Sequence, residues 1–256
     1  MAAPGAVADA AAVVDSWVEV VAADGHRVPA FVAEPAAANA TGLCGVVVIA
    51  HAGGVDDHIR DVTRRFAAQG FVASAPELFA RLGGPPRPSM EEIMRKLAEL
   101  GDPGAVADLV ATASSLRAHP RGNGRVASIG FCMGGRLSLL LATQPGVLDR
   151  AIDCWGGRIT RRTLPADDLH PEVVVERIAQ LSCPLLGIFG ELDENPSQAD
   201  VEELRSALIE NGKEYRIRSF AGAGHAFFAD TRPSYREEQA HLAWKEFLDF
   251  LAPLQR

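Results

Sequence analysis

The 256-residue sequence predicts an α/β protein: a single-domain, mostly parallel sheet with helices on both faces. Three observations carry that prediction. Short apolar runs alternate with amphipathic stretches of ten or more residues. One of those runs, CGVVVIA at 44–50, is apolar throughout, as a strand buried on both faces should be. And a cysteine stands between two glycines, G-F-C-M-G, exactly where a strand gives way to a helix.

The elements follow in order. Residues 1–14 are Ala-rich and are expected to be a flexible N-terminal segment, with one domain over 15–256. Strands are expected over 17–22 and 27–33, joined by Asp24-Gly25, a favoured hairpin pair. After the 44–50 strand, Ile59, Val62, Phe66 and Ala67 recur at helical spacing until Gly70 stops them. A strand over 71–75 ends at Pro76, and helices are expected over 90–100 and 105–118. The 125–129 strand leads into a helix after Gly134. Strands over 150–154, 184–189 and 214–220 follow, with helices over 197–210 and 234–251. No Pro- or Ser-rich linker and no internal repeat divides the chain.

Composition removes several function classes. A net charge of −8 argues against a nucleic-acid binder. A chain of this length buries roughly 70–75% of its unfolded surface and needs no disulfide or metal staple. The four cysteines, Cys44, Cys132, Cys154 and Cys183, form no C-x-x-C pair, so no zinc site is expected. His51, Asp56, Asp57 and His58 also lack any metal-binding spacing, and neither metal nor cofactor is expected. The N-terminus is a poor secretory signal and no run is long enough to span a membrane, so the expectation is a cytoplasmic protein with reduced cysteines.

Cys132 is the candidate nucleophile. A residue on a sharp strand-to-helix turn stands clear of the backbone, glycines on either side relieve the crowding, and the helix N-terminus favours a thiolate. Cys44, Cys154 and Cys183 lack such a turn and read as core. A cysteine nucleophile needs a base and the base an orienting acid, in the chain order nucleophile, acid, histidine. Of the histidines downstream, His170 precedes a proline in an Arg/Asp-rich loop and His241 lies in the last helix. His225 occupies a Gly-rich loop after the last strand and is the expected base. Asp193 follows a buried strand and is the expected acid, with Glu191 and Glu194 as competitors. The oxyanion donors expected are the N–H of Met133 and one N–H from His51-Ala52-Gly53-Gly54, either Ala52 or Gly53. Trp155 is a candidate wall of the substrate pocket, and the 160–168 loop a candidate cover.

Gly-Phe-Cys132-Met-Gly-Gly, Gly190-Glu-Leu-Asp193, Ala-Gly-His225-Ala-Phe and Ala75-Pro-Glu-Leu-Phe-Ala-Arg81 together resemble the dienelactone hydrolase family, from about Trp17 to Leu254. The resemblance implies the α/β-hydrolase fold and a Cys132–His225–Asp193 triad. It further implies hydrolysis of small carboxylic esters or lactones of the carboxymethylenebutenolide type, through an acyl-enzyme and without a cofactor. Two departures stand out. The family's glutamate in the loop after the early strand is Ala52 here, so a Cys132 thiolate paired with protonated His225 is the expected resting state. Of the two arginines that hold the substrate carboxylate in the family, Arg81 matches one; Phe228 and Ala229 stand where the other should fall, with Arg232 shifted beyond them. The rival readings are a thioesterase or general acyl hydrolase without lactone preference, and a non-catalytic binding or redox-sensing protein. The expected partner is a small-molecule ester or lactone, with no nucleic acid or membrane, for a monomer or homodimer.

Overall fold

The structure, a computed structural model, describes residues 2–163 and 166–256. Eight strands form one sheet: β1 (Val13–Val21), β2 (Arg27–Pro35), β3 (Leu43–Ile49), β4 (Val72–Pro76), β5 (Gly122–Phe131), β6 (Arg150–Cys154), β7 (Leu185–Gly190) and β8 (Tyr215–Phe220). Their order across the sheet is β1-β2-β4-β3-β5-β6-β7-β8. β1, β2 and β4 pair antiparallel, and every pair from β4 to β8 is parallel. This is the α/β layered sheet that the alternation of elements predicts, and the architecture that the resemblance implies. The Asp24-Gly25 turn is present, with Gly25 at φ 84° and β1–β2 register running from Val21↔Arg27 to Val13↔Pro35. β3 is buried at all seven positions, which is why its sequence shows no polar alternation.

Helices cover both faces: α1 (Asp57–Ala68), α2 (Met90–Glu99), α3 (Asp102–Arg117), α4 (Met133–Ala142), α5 (Gln198–Glu210) and α6 (Glu237–Leu251). α1 and α6 share a face, where Phe66 and Trp244 pack with ring centroids 4.9 Å apart. α3 and α4 pack together over β3, β5 and β6. α4 is buried from Gly134 to Ala142, as an all-round apolar helix must be.

The described part of the N-terminal segment is pinned rather than loose. Pro4 is buried, its carbonyl accepts from the buried Arg65 guanidinium at 3.2 Å, and Gly5 lies against the Trp244 ring. Composition concealed these contacts, because a run of alanines carries no sign of what it packs against. β1 also begins four residues earlier than its sequence suggests, since Val13–Ser16 pair fully with β2.

The chain leaves β3 toward β4 on one side and returns to β5 on the other. The carboxyl ends of β3 and β5 therefore flank a topological switch point, where open α/β sheets hold their ligands.

Candidate active site

Cys132 sits at that switch point, one residue after β5 and one before α4, at φ 57° and ψ −117°. A side chain held there costs about 1–3 kcal/mol of backbone strain and persists only when its surroundings enforce it. The neighbouring glycines show how. A Cβ on Gly130 would lie 1.8 Å from the Gly134 carbonyl oxygen, and one on Gly134 would lie 2.2 Å from that of Ile49. The turn is thus closed on itself and pressed against the end of β3, and only glycine fits either position.

Asp193 and His225 arrive from the loops after β7 and β8. His225 Nδ1 lies 2.8 Å from Asp193 Oδ2, while the other carboxylate oxygen accepts the Asn195 N–H at 2.9 Å. Asp193 is 7% exposed, whereas Glu191 and Glu194 are turned to solvent, which separates the three carboxylates that sequence left in competition. Burial works against a charge on His225. The hydrogen bonds to Asp193 and Cys132, and the negative charges on both, outweigh it and push its pKa up to about 10. The other thiols are different. Burial pushes Cys44 and Cys183 up to about 12 and Cys154 well above its ordinary range, which favours the protonated, unreactive thiol at all three.

Of the two expected donors in the loop after β3, the structure eliminates one. The Gly53 N–H is spent on His51 Nδ1 at 2.9 Å, and that bond leaves the other ring nitrogen to donate to Asp56 at 3.0 Å. The Ala52 N–H has no partner among the described residues. The Met133 N–H belongs to the first turn of α4, whose amides lack helical acceptors. Asp56 also accepts from the Ile59 N–H at 3.0 Å and caps α1, while Glu77 reaches the same loop by accepting the Val55 N–H at 2.8 Å.

A cavity of about 480 Å³ opens on Cys132, Met133, Asp193 and His225. Its apolar wall comes from Met94, Leu97 and Leu100 with Leu137 and Leu192, and its polar side includes Arg136, Arg158, His170 and Asn195. Four expected residues, Ala52, Gly53, Arg81 and Trp155, are not in its lining. Arg81 is held bidentately by Asp108 at 2.9 and 2.6 Å and by Asp24 at 2.8 Å. Its guanidinium is satisfied away from the cavity, so the expectation of a carboxylate clamp there is corrected. Arg232 is exposed and approaches His51 instead. Trp155 is 2% exposed and stands behind the site, packed on Phe131 and Phe227 with its ring 6.5 Å from that of His225. It supports the histidine rather than lining the pocket. The 160–168 loop includes Leu164 and Pro165, which lie outside the described residues.

Sequence reasoning placed the α2 helix but assigned neither its Met94, Leu97 and Leu100 nor Arg158 and His170 to the cavity. The apolar spacing Met94, Leu97, Leu100 was a signal, as was Arg158 in a Gly-Gly-Arg turn beyond a strand's carboxyl end. His170 carried none, because its Asp167 partner is visible only once the loop is folded.

The dienelactone hydrolase family profile matches residues 28–255. The chain belongs to the dienelactone hydrolase family, and with it to the hydrolases. Proteins assigned by name as carboxymethylenebutenolidases are similar along most of their length. One from Salmonella typhimurium is 33% identical over 93% of this chain and 87% of its own, and one from Yersinia pestis is 34% identical over 90% and 85%. A crystal structure from Klebsiella pneumoniae, titled as a dienelactone hydrolase by assignment, superposes with a TM-score of 0.87 at 32% identity, covering 94% of this chain and 99% of that one. A dienelactone hydrolase-like promiscuous phosphotriesterase from metagenomic libraries, at 21% identity and a TM-score of 0.77, shares the fold. Among the described residues no helix is long and apolar enough to cross a membrane, and no cluster of three or more His, Cys, Asp or Glu side chains could hold a metal ion.

Proposed function

We propose that this family member hydrolyses small carboxylic esters or lactones, including the carboxymethylenebutenolide type, through an acyl-enzyme on Cys132. The observation that carries the reading is the left-handed Cys132 on its glycine-closed turn, with a His225–Asp193 pair opening on the same cavity.

The charges suggest the order of events. At rest the proton sits on His225, held there by Asp193 and Cys132. The sulfur attacks the carbonyl carbon, and the oxygen takes the negative charge facing the Met133 and Ala52 N–H groups. Once the sulfur is acylated, its charge no longer holds the imidazolium, and the pKa of His225 drops. His225 then gives its proton to the departing alkoxide. Now neutral, and still oriented by Asp193, it takes a proton from water as that water attacks the thioester. Collapse releases the acid and regenerates the charged pair. Each proton removed is returned within the cycle, so no cofactor is required.

The test is hydrolysis of activated esters and of a dienelactone by wild type and Cys132→Ala. Loss of all measurable turnover in the variant is expected; equal rates would reject the nucleophile. A lactone-to-ester ratio near one would favour the general acyl hydrolase reading. Rapid Cys132 alkylation without turnover of any ester would favour the non-catalytic one.

A further inference from the structure

α2 is an amphipathic helix with little core beneath it. Met90, Met94 and Leu97 recur at i, i+4 and i+7 on one face, and Leu100 follows at the helix end. A stripe of this kind is ordinarily pressed onto the protein interior. Here the one buried residue of the helix is Lys96, whose Nζ donates to the carbonyls of Leu82, Gly84 and Pro85. A polar anchor thus ties α2 to the loop before it, while Met94, Leu97 and Leu100 line the cavity that holds Cys132. Exposure falls along the stripe: Met94 is 57% exposed, Leu97 is half-buried and Leu100 is 5% exposed. α2 therefore runs from the mouth of the cavity toward its floor. Leu137 and Leu192 complete the apolar lining, Leu137 buried and Leu192 exposed like Met94 and Met90. Large apolar side chains left in water around an opening gain free energy when an apolar group covers them.

The charges in the lining leave that wall free. Arg136 donates Nη1 and Nη2 to Asp102 at 2.5 and 2.7 Å, and Asp193 is taken by His225. The Arg158 guanidinium has no partner among the described residues, but Arg158 is half-exposed and solvent reaches it. The order of events also divides the substrate. His225 protonates the departing alkoxide, so the alcohol half of an ester lies toward His225. The acyl half then lies on the other side of Cys132, along α4 and α2. From Met94 to Leu100 the stripe rises about 9 Å, the length of an extended chain of about seven carbons.

We propose that the α2 wall holds an unbranched apolar acyl chain, and that the preferred substrates are esters of medium-chain fatty acids. The proposal rests on the hydrolase reading and adds to it the class of acyl group. The chain would cover the apolar face of α2 that the fold leaves open. Methionine suits that place, because its flexible thioether adapts to chains of different length.

The experiment measures kcat/KM for the 4-nitrophenyl esters of acetate, butanoate, hexanoate and octanoate, and for the carboxylate-ended hemisuberate. It compares wild type, a Met90→Gln/Met94→Gln double variant and Ile209→Gln, a like change at an exposed residue of α5 outside the lining. Glutamine keeps the length and helix propensity of methionine, so the double variant tests apolarity rather than folding. In wild type kcat/KM should rise about two- to fourfold with each added methylene, the scale of moving one from water to an apolar wall. The octanoate-to-acetate ratio should fall about tenfold in the double variant and keep its wild-type value in Ile209→Gln. The hemisuberate should react about tenfold or more slowly than octanoate, because its carboxylate would have to leave water for Met and Leu side chains. Calorimetric titration with octan-1-ol gives a reading independent of turnover. It should show a negative heat-capacity change in wild type and an affinity about tenfold weaker in the double variant. A rate that is flat or falling from acetate to octanoate, a hemisuberate faster than octanoate, or a ratio unmoved in the double variant overturns the apolar wall and leaves the hydrolase reading standing. If no ester turns over, the hydrolase reading fails, and equal octan-1-ol binding by wild type and the double variant would then overturn the wall as well.

Discussion

The two sides of the cavity are built on different principles. The side carrying Cys132, His225 and Asp193 is made of strand ends and tight turns, each fixed by close backbone contact: Gly130 on Gly134, Gly134 on β3, Gly190 on the Ala223 carbonyl. The opposite side is made of α2, the loop after β6 and the buried Asp102–Arg136 pair, held by side chains from separate parts of the chain. Chemistry on the first side depends on backbone geometry that local sequence dictates. Selectivity on the second depends on which side chains tertiary folding leaves unpaired.

That contrast orders the expected effects. On the first side, Cys132→Ala should lower kcat/KM for an activated ester by about 10³-fold or more, because a member acting as a unit with its partners has been removed. Asp193→Asn should cost about 10³–10⁴ by orienting His225 wrongly, with KM moving far less than kcat. An effect confined to KM would mean that the Asp193–His225 contact is structural only. On the second side, Asp102→Ala leaves the buried Arg136 uncompensated and should destabilise the fold by about 3–5 kcal/mol in urea titrations. An unchanged midpoint would mean that the pair is dispensable and the wall is held otherwise.

Beneath the Cys132 turn, Asp153 is fully buried, with Oδ1 accepting the Gly156 N–H at 2.7 Å and Oδ2 without a partner among the described residues. Burial raises its pKa from 3.8 to about 7, only partly opposed by the Gly156 hydrogen bond. Between those values the unfolded chain has lost its proton and the folded chain has not, so Asp153 lowers stability progressively as pH rises through that window. The melting-temperature difference between Asp153→Asn and wild type should therefore shift in the variant's favour from about pH 4 to pH 7 and level off above. A pH-independent difference would show that Asp153 is not titrating in the fold. The smallest effect is expected at the apolar wall, where Leu97→Ala should change the preference between short and long acyl chains by about tenfold, with little change in melting temperature. A uniform loss over all chain lengths would remove α2 from the substrate's path.

The same contrast explains what was legible beforehand. The elbow could be read because Gly-Phe-Cys132-Met-Gly encodes its own contacts within five residues, and His225 and Asp193 because each lies in a short loop after a strand. The alternation that gives the sheet is likewise local. Arg81 misled because its motif, Ala-Pro-Glu-Leu-Phe-Ala-Arg, says nothing of Asp108 and Asp24, which come from elsewhere in the chain and saturate it. Gly53 misled similarly, since its amide is taken by a neighbouring imidazole whose ring direction no pattern specifies. Trp155 follows a strand as a pocket residue would, but its φ of 45° turns it into the aromatic packing behind His225. Arg158 and Arg136 are indistinguishable as letters; only the fold gives one a partner and leaves the other free.

The central claim is that a covalent acyl group forms on Cys132. Its most direct test is to mix the enzyme with an activated ester, quench with acid within the first turnovers, and map the acylated peptide by mass spectrometry. The account predicts one acyl group, on the peptide bearing Cys132, with none on Cys44, Cys154 or Cys183. Ester turnover with no acyl group on Cys132, or turnover at the wild-type rate in Cys132→Ala, would contradict it.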